Sequence, residues 1–488
     1  MPSPSRKARI NPVQIAFTFC LSVLCIWLIL AEMLVPWLLT DAYQGSGLQP
    51  LNRFFASRAF KKPLEYYLKL WSDFEFAIIF SGLAYIIFIR CIQKSRLTIS
   101  IQIATLFTGA LFLLLTVLFG PRQDYVAHIQ IWKEVISGNN PWWIQPESRI
   151  ILNAYGPLFN LFAIPAAINP MAPKIIFAFI YLLFCIKTLE LYQEHYQWQG
   201  RPVWLLFAWL FNPAIWLEIV FYGHFDVLMA ILILTSVHLC VKKNDYKSGI
   251  CIGAGFLLKF LPVVVLPFFV ITGFDPLKWR WRTLVSALSV MISGMLTSWL
   301  IWGSSTFRPL FFASERGSSL ISIWRYLRGI HSPWTLMTGH PINLDRWAMP
   351  VMMGMLLWVF VIALKRQSEI SHSTFLVLLT VLIFYKVGFL QYQMVLFLIL
   401  PYWFARNVDQ IQSNRPVQLA TIAYFIWIVS FDLFDNAVGG IIGQGRPYGW
   451  LEEWAGLPTF LVGMALWSVL MLMHTNQSFS ENTDGKSP

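Results

Sequence analysis

Charge is what this chain has least of. Asp, Glu, Lys and Arg together make up 12% of its 488 residues, against about 25% in a soluble domain. That shortage excludes an ordinary soluble globular protein. Cysteine is also rare. The six cysteines are scattered, four of them inside apolar runs (Cys20, Cys25, Cys185, Cys240), and no CxxC pair or metal-ligand spacing occurs. A disulfide framework and a zinc site are both excluded as organising features. There is no P-loop, and no Gly-x-Gly-x-x-Gly in a strand–turn–helix context, so these nucleotide-binding signatures are missing too.

Apolar residues fill the space instead. Hydrophobic residues reach 57% and mean hydropathy is +0.60. Apolar runs recur near the roughly 20 residues that cross a hydrocarbon core. The expected fold is an all-α polytopic membrane protein with about twelve transmembrane helices plus re-entrant and juxtamembrane pieces. The candidate spans are 14–39, 75–92, 99–119, 174–192, 203–221, 225–241, 283–302, 347–364, 373–388, 390–405, 417–433 and 457–473. The first follows a basic preface (Arg6, Lys7, Arg9) but is too long for a signal-peptide core, so it reads as a retained helix. The net charge of +12 does not point to nucleic acid. Lys and Arg cluster in short stretches between apolar runs, as in loops that stay cytoplasmic.

Two stretches are ambiguous. Residues 155–168 are broken by Pro157 and Pro165, and 248–272 carry Lys259, Pro262 and Pro267. The basic clusters decide between threadings. They fall on one side when 155–168 lies along the outer surface and 248–272 is a broken, re-entrant hairpin. Non-helical backbone at membrane depth needs protein or a water cavity around it, so both breaks predict an internal polar cavity. Under this threading Asp124, His128, His224, Asp226, the loop 303–346, Lys386 and Gln391 all face outward.

Asp124 and Tyr125 follow the run 99–119 and open a polar, Trp-rich segment. A carboxylate at a helix exit can accept a proton from an attacking hydroxyl; it can equally be a solvated helix-end acid. In 138–143, GNNPWW, a turn precedes Trp142 and Trp143, which fit sugar stacking and interface anchoring alike. Asn153, Tyr155 and Pro157 belong to the turn NAYGPL. Asn212-Pro213 breaks one helix, and Gly223 separates it from the next, with His224 and Asp226 at the turn. Lys259 either snorkels or meets an anion. Arg308, Arg316, Arg325 and Arg328 fall in the outer loop, against the inside bias of positive residues, and a lipid-borne phosphate would account for them.

In this order the motifs resemble the GT-C superfamily of membrane glycosyltransferases, in particular the GPI mannosyltransferase I catalytic subunit (PIG-M) type and its bacterial relatives. The residues concerned are Asp124-Tyr125, Gly138 to Trp142, Tyr155 to Leu158, Asn212-Pro213 with Gly223 to Asp226, Lys259 to Pro262, and Tyr385-Lys386-Val387 with Gln391-Tyr392. The family's acid pair is here Arg122-Gln123-Asp124, with a single Asp, which weakens the case for a divalent metal and leaves that metal as the one cofactor still open. The resemblance implies transfer of a sugar, mannose, from a polyprenyl-phosphate donor to a lipid or lipid-linked glycan acceptor, with inversion. It implies Asp124 as the catalytic base and Arg316, Arg325 and Lys386 as donor-phosphate ligands. Tyr125, His128, Trp142, Tyr155, His224, Asp226, Gln391 and Tyr392 would contact substrate. Residues 1–95 would be an added helix pair, 96–405 the catalytic module with outer loops 120–155 and 303–346, and 406–488 the C-terminal helices and a polar tail. The expected location is a bacterial inner membrane, with the site on the periplasmic or lumenal face. A transporter or flippase of a lipid-linked sugar is the rival reading, since broken helices also mark transporters, though no two-fold repeat is evident. A non-catalytic scaffold subunit is a third.

Overall fold

The computed structural model describes residues 101–121, 123–142, 153–195, 206, 209–271, 277, 279–330, 332–388, 390–434 and 449–473. The expected spans 14–39 and 75–92, and the division at residue 95, lie outside these. Within them the chain is mostly helical. Four helices are long and apolar enough to cross a membrane: Ala172–Glu190, Trp281–Phe311, Asp345–Arg366 and Trp454–Leu472. A fifth arises if Ala214–Phe221 and Asp226–Val241, bent by 120° at their junction, count as one broken span. The remaining expected spans in this region form shorter apolar helices, including Thr105–Leu118, Ile370–Phe384 and Arg415–Val429. The described residues thus show four or five full crossings, and two of the twelve expected ones lie outside them.

Lipid-facing and protein-facing surfaces divide as a bilayer requires. Val285, Leu288, Ile292, Leu296 and Leu300 on the helix Trp281–Trp302 are exposed, while Thr283, Ser286, Ala287, Met291 and Ser298 are buried. Large aliphatics thus face outward, because lipid already solvates Leu, and Ser286, Ala287 and Ser298 are among the residues turned to protein, where close packing has to supply the cohesion. At the centre lies Asp226–Val241, with ten of its sixteen residues buried. It packs against Ala172–His195, Asp245–Leu258 and Met394–Arg406.

Both ambiguous stretches are broken where proline predicts. Residues 155–168 form two short helical pieces, Pro157–Asn160 and Ala163–Ile168. The helix Asp245–Leu258 ends at Lys259, whose backbone is extended, and the chain resumes as a 3-10 turn over Leu261–Val265. The expected helix 373–388 ends earlier, at Phe384. Tyr385 turns extended, and Val387–Gly388 pairs in parallel with Ser319–Leu320 of the outer loop. Ser319 N donates to Lys386 O at 3.1 Å and Ile321 N to Gly388 O at 3.3 Å. This two-residue ladder departs from an all-helical reading, and it ties the arginine-bearing loop to the segment that leads into Gln391 and Tyr392.

Candidate active site

The carboxylate comes from a helix start. The helix Ile101–Leu118 ends, Gly120 turns the chain with φ +61°, and Gln123–Ile136 begins with Asp124 in its first turn. A negative charge there is favoured by the exposed N–H groups of the helix end. The Asp124 side chain is 55% exposed, and its Oδ2 lies 3.5 Å from His224 Nε2. Hydrogen bonding to His224 first, then the charge of His224 and a contact from Gln391, hold this carboxyl well below the usual Asp range, against the opposing effect of burial. Asp124 is therefore ionised at any physiological pH.

His224 is aimed by a bent turn. Asn212 Oδ1 accepts from Ala214 N (3.0 Å) and Ile215 N (3.3 Å), which starts the short helix Pro213–Trp216. A π-helical turn, Leu217–Phe221, follows. Such turns insert one residue per turn and re-aim side chains. Here the turn brings Glu218 against His224: His224 N donates to Glu218 O at 2.9 Å, and His224 Nδ1 contacts the Glu218 carboxylate. Glu218 and His224 are both buried, and His224 Nε2, which faces Asp124, makes no hydrogen bond of ordinary geometry. Gly223 closes the turn at φ +69°. A Cβ there would lie 2.8 Å from Tyr125 Cδ2 and 3.0 Å from Lys174 Cγ. Beneath it, the buried Lys174 ammonium donates to Gly120 O (2.8 Å) and Phe221 O (3.0 Å), tying the turn before Asp124 to the turn before His224.

A second group lines the site from the broken hairpin. Gly156 N donates to Leu258 O at 3.0 Å, and a Cβ on Gly156 would lie 2.2 Å from Leu257 O, so only glycine permits this approach. It places Tyr155 beside Lys259. The Tyr155 hydroxyl meets His128 Nε2 at 3.1 Å. His128 is buried among Tyr125, Trp132, Tyr155, Phe159 and Phe225, and burial pushes its pKa down to about 3, so the ring is neutral. Lys259 pairs with Asp226, the buried first residue of Asp226–Val241, and its Nζ lies 3.9 Å from the centre of the Tyr392 ring. That separation is a close cation–π contact. Arg316 is within electrostatic reach of Tyr155, Tyr385 and Tyr392, and Asp124 of Tyr155 and Tyr392.

Asp124, His128, Tyr155, His224, Asp226, Gln391, Tyr392 and Arg316 thus converge. Other expected site residues lie elsewhere. Tyr125 is fully buried, and its hydroxyl donates to Pro170 O (2.8 Å) and accepts from Lys174 N (3.0 Å), so both its bonds hold backbone and its role is positional. Trp142 is buried behind Tyr155, donating from Nε1 to Tyr155 O at 3.3 Å, with Arg308 donating to its own carbonyl at 3.4 Å. It supports Tyr155 and offers no open face for a sugar. Lys386 leaves the group because its helix ends early. The charges that act on it are Asp345 and Arg328, themselves paired at 2.9 Å, while burial lowers its pKa. Arg325, half-buried, lies in the last turn of Ile323–Arg328. Lys174 was not foreseen: one lysine near the start of an apolar helix gives no signal of the two distant carbonyls it joins. Among the described residues, no group of three His, Cys, Asp or Glu is placed to hold a metal ion.

Comparison with protein families matches residues 153–430, more than half of the chain, to the model described as Glycosyltransferase family 87. The match takes in His224, Asp226, Lys259, Arg316 and Tyr392; Asp124 precedes it. No curated protein and no solved structure matches.

Proposed function

Because the chain belongs to glycosyltransferase family 87, a GT-C type membrane glycosyltransferase family, we propose that Asp124 is the base of an inverting sugar transfer from a polyprenyl-phosphate donor. One observation carries this reading: an ionised, half-exposed carboxylate lies beside a buried histidine, and Tyr392, in cation–π contact with Lys259, is within electrostatic reach of both Asp124 and Arg316.

The acceptor hydroxyl would hydrogen-bond to Asp124. As its oxygen bonds to the anomeric carbon, the bond from that carbon to the phosphate oxygen breaks and the hydroxyl proton passes to Asp124. A carboxylate with a low pKa suffices, because an oxygen attacking a developing oxocarbenium ion becomes strongly acidic. Arg316, with Lys259 nearby, would offset the charge that gathers on the departing phosphate. His224, backed by Glu218, keeps Asp124 oriented and ionised. Tyr155 and Gln391 would touch the sugar or the acceptor.

The likeness of the motif order to the PIG-M type supports mannose as the sugar and a lipid-linked glycan or lipid as acceptor. The basic clusters support a site on the non-cytoplasmic face of a bacterial inner membrane. Residues 96–405 would be the catalytic module, 1–95 an added helix pair, and 406–488 the C-terminal helices. The direct test incubates purified protein with synthetic polyprenyl-phosphate sugars and an acceptor, and follows free polyprenyl phosphate by mass spectrometry. Counterflow of the lipid-linked sugar in proteoliposomes without its consumption would replace this reading with transport.

A further inference from the structure

A cavity lies at the other end of the helix Asp226–Val241 from the site just described. Asp226 opens its helix beside the site just described. Val241 closes it fifteen residues later, about 22 Å away at 1.5 Å per residue. There a cleft of about 370 Å³ opens between Ala172–His195, Asp226–Val241 and Met394–Arg406. Its walls are apolar, with Phe184, Leu210, Leu234 and Leu398. Its rim is basic, with Lys187, Lys242 and Arg406 arriving from three different segments and His238 beside them. None of the residues assigned to sugar transfer lines it.

We propose that this cleft binds an anionic phospholipid, its phosphate headgroup held by Lys187, Lys242 and Arg406 and an acyl chain lying on the apolar wall. Charge complementarity supports it. Glu190 lies 2.7 Å from Lys187, and Glu369 lies 3.4 Å from Arg406 Nε. The exposed Lys242 adds a third cation to the same cleft. Basic pockets between transmembrane helices at the cytoplasmic side suit acidic headgroups, and the basic loops put this end on that side. The apolar depth separates a lipid from a soluble anion: free phosphate would use the rim and leave the walls unoccupied.

The test is native mass spectrometry of the full chain released from nanodiscs of mixed phosphatidylglycerol and phosphatidylcholine. The expected result is selective retention of phosphatidylglycerol. Lys242→Gln lowers the preference about fivefold, the change for one basic residue at an anionic leaflet. The triple variant Lys187→Gln, Lys242→Gln, Arg406→Gln abolishes it. Lys242 is exposed, so its single variant keeps the fold. Leu234→Trp, which fills the wall and leaves every charge in place, also releases the lipid. Glycerol phosphate at millimolar concentration does not compete. Equal retention of both lipids, an unchanged preference in Lys242→Gln, or displacement by glycerol phosphate each overturns the proposal. The readout is lipid retention, so it stands or falls independently of sugar transfer.

Discussion

Gly223→Ala tests whether the turn that aims His224 is as tightly built as its contacts imply. Two costs add. The backbone at φ +69° disfavours an L side chain by about 1–2 kcal/mol. The new methyl would also fall 2.8 Å from Tyr125 Cδ2 and 3.0 and 3.1 Å from Lys174 Cγ and Cδ. Neither neighbour can retreat, since both are fully buried and hydrogen-bonded to backbone at their far ends. Overpacking of that kind costs about 1–3 kcal/mol, giving about 2–5 kcal/mol in all. Gly138→Ala is the control. Its φ is +76°, with nothing within 4 Å of the added carbon, so it carries the backbone cost alone, about 1–2 kcal/mol. Unfolding of both variants in mixed micelles by added SDS measures the difference. Sugar transfer, assayed under conditions where both remain folded, should fall further in Gly223→Ala, because relief of the clash moves His224 away from Asp124. Equal destabilisation of the two variants would refute the reasoning, for the contact cost would then be absent.

Asp124→Asn keeps the shape and removes the base, so transfer should fall by about 10²–10⁴ while binding of a labelled donor persists; turnover within tenfold of the parent removes Asp124 from the role. His224→Gln takes away the main influence lowering the Asp124 pKa, which should rise by about 1–3 units. The base is active when deprotonated, so activity is present above its pKa and lost as pH falls through it. The parent should therefore keep full activity at about pH 4, whereas the variant, its acid limb moved up into the ordinary Asp range near 3.9, should lose about half of its activity there, read from the pH dependence of kcat/KM. Lys259→Met leaves the buried Asp226 unpaired and should destabilise by about 3–5 kcal/mol; adding Asp226→Asn should restore most of it, measured by thermal unfolding. Arg316→Gln should lower kcat/KM for the phosphate-linked donor and leave the acceptor KM unchanged, and an effect on the acceptor alone would reassign it.

The breaks in this fold were legible because proline and glycine act locally. Asn212-Pro213, Gly223 and the prolines around Lys259 each interrupt the backbone where the chain does bend, since a missing donor or a left-handed φ acts whatever the surroundings. Partnerships across the bundle were not legible. Glu218 and His224 are six residues apart, a spacing that puts them on different faces of a regular α-helix; the π turn brings them together. Tyr125 and Trp142 have the composition of ligand-binding aromatics, but burial and the direction of their polar atoms make them supports. Lys386 was assigned to the end of a longer helix. Its chain leaves that helix after Phe384, and the ladder with Ser319–Leu320 holds it beside Arg328 and Asp345.

The distribution of charge within the site argues for where chemistry occurs. A buried charge is costly unless it is paired or hydrogen-bonded, and the deep charges here follow that rule. Lys174 is bonded to two carbonyls, Asp226 to Lys259, and Glu218 to His224. Removing any one partner strands the other, so these groups are fixed in place and poorly suited to changing charge during turnover. Asp124 differs. It is half exposed, and its contact with His224 Nε2, at 3.5 Å, is long and not tight. A carboxylate can take up a proton without stranding a buried partner only in such a place. The paired groups beneath it form the rigid frame that such a base requires, which is why the turn at Gly223 and the Lys174 clamp matter to catalysis without touching substrate.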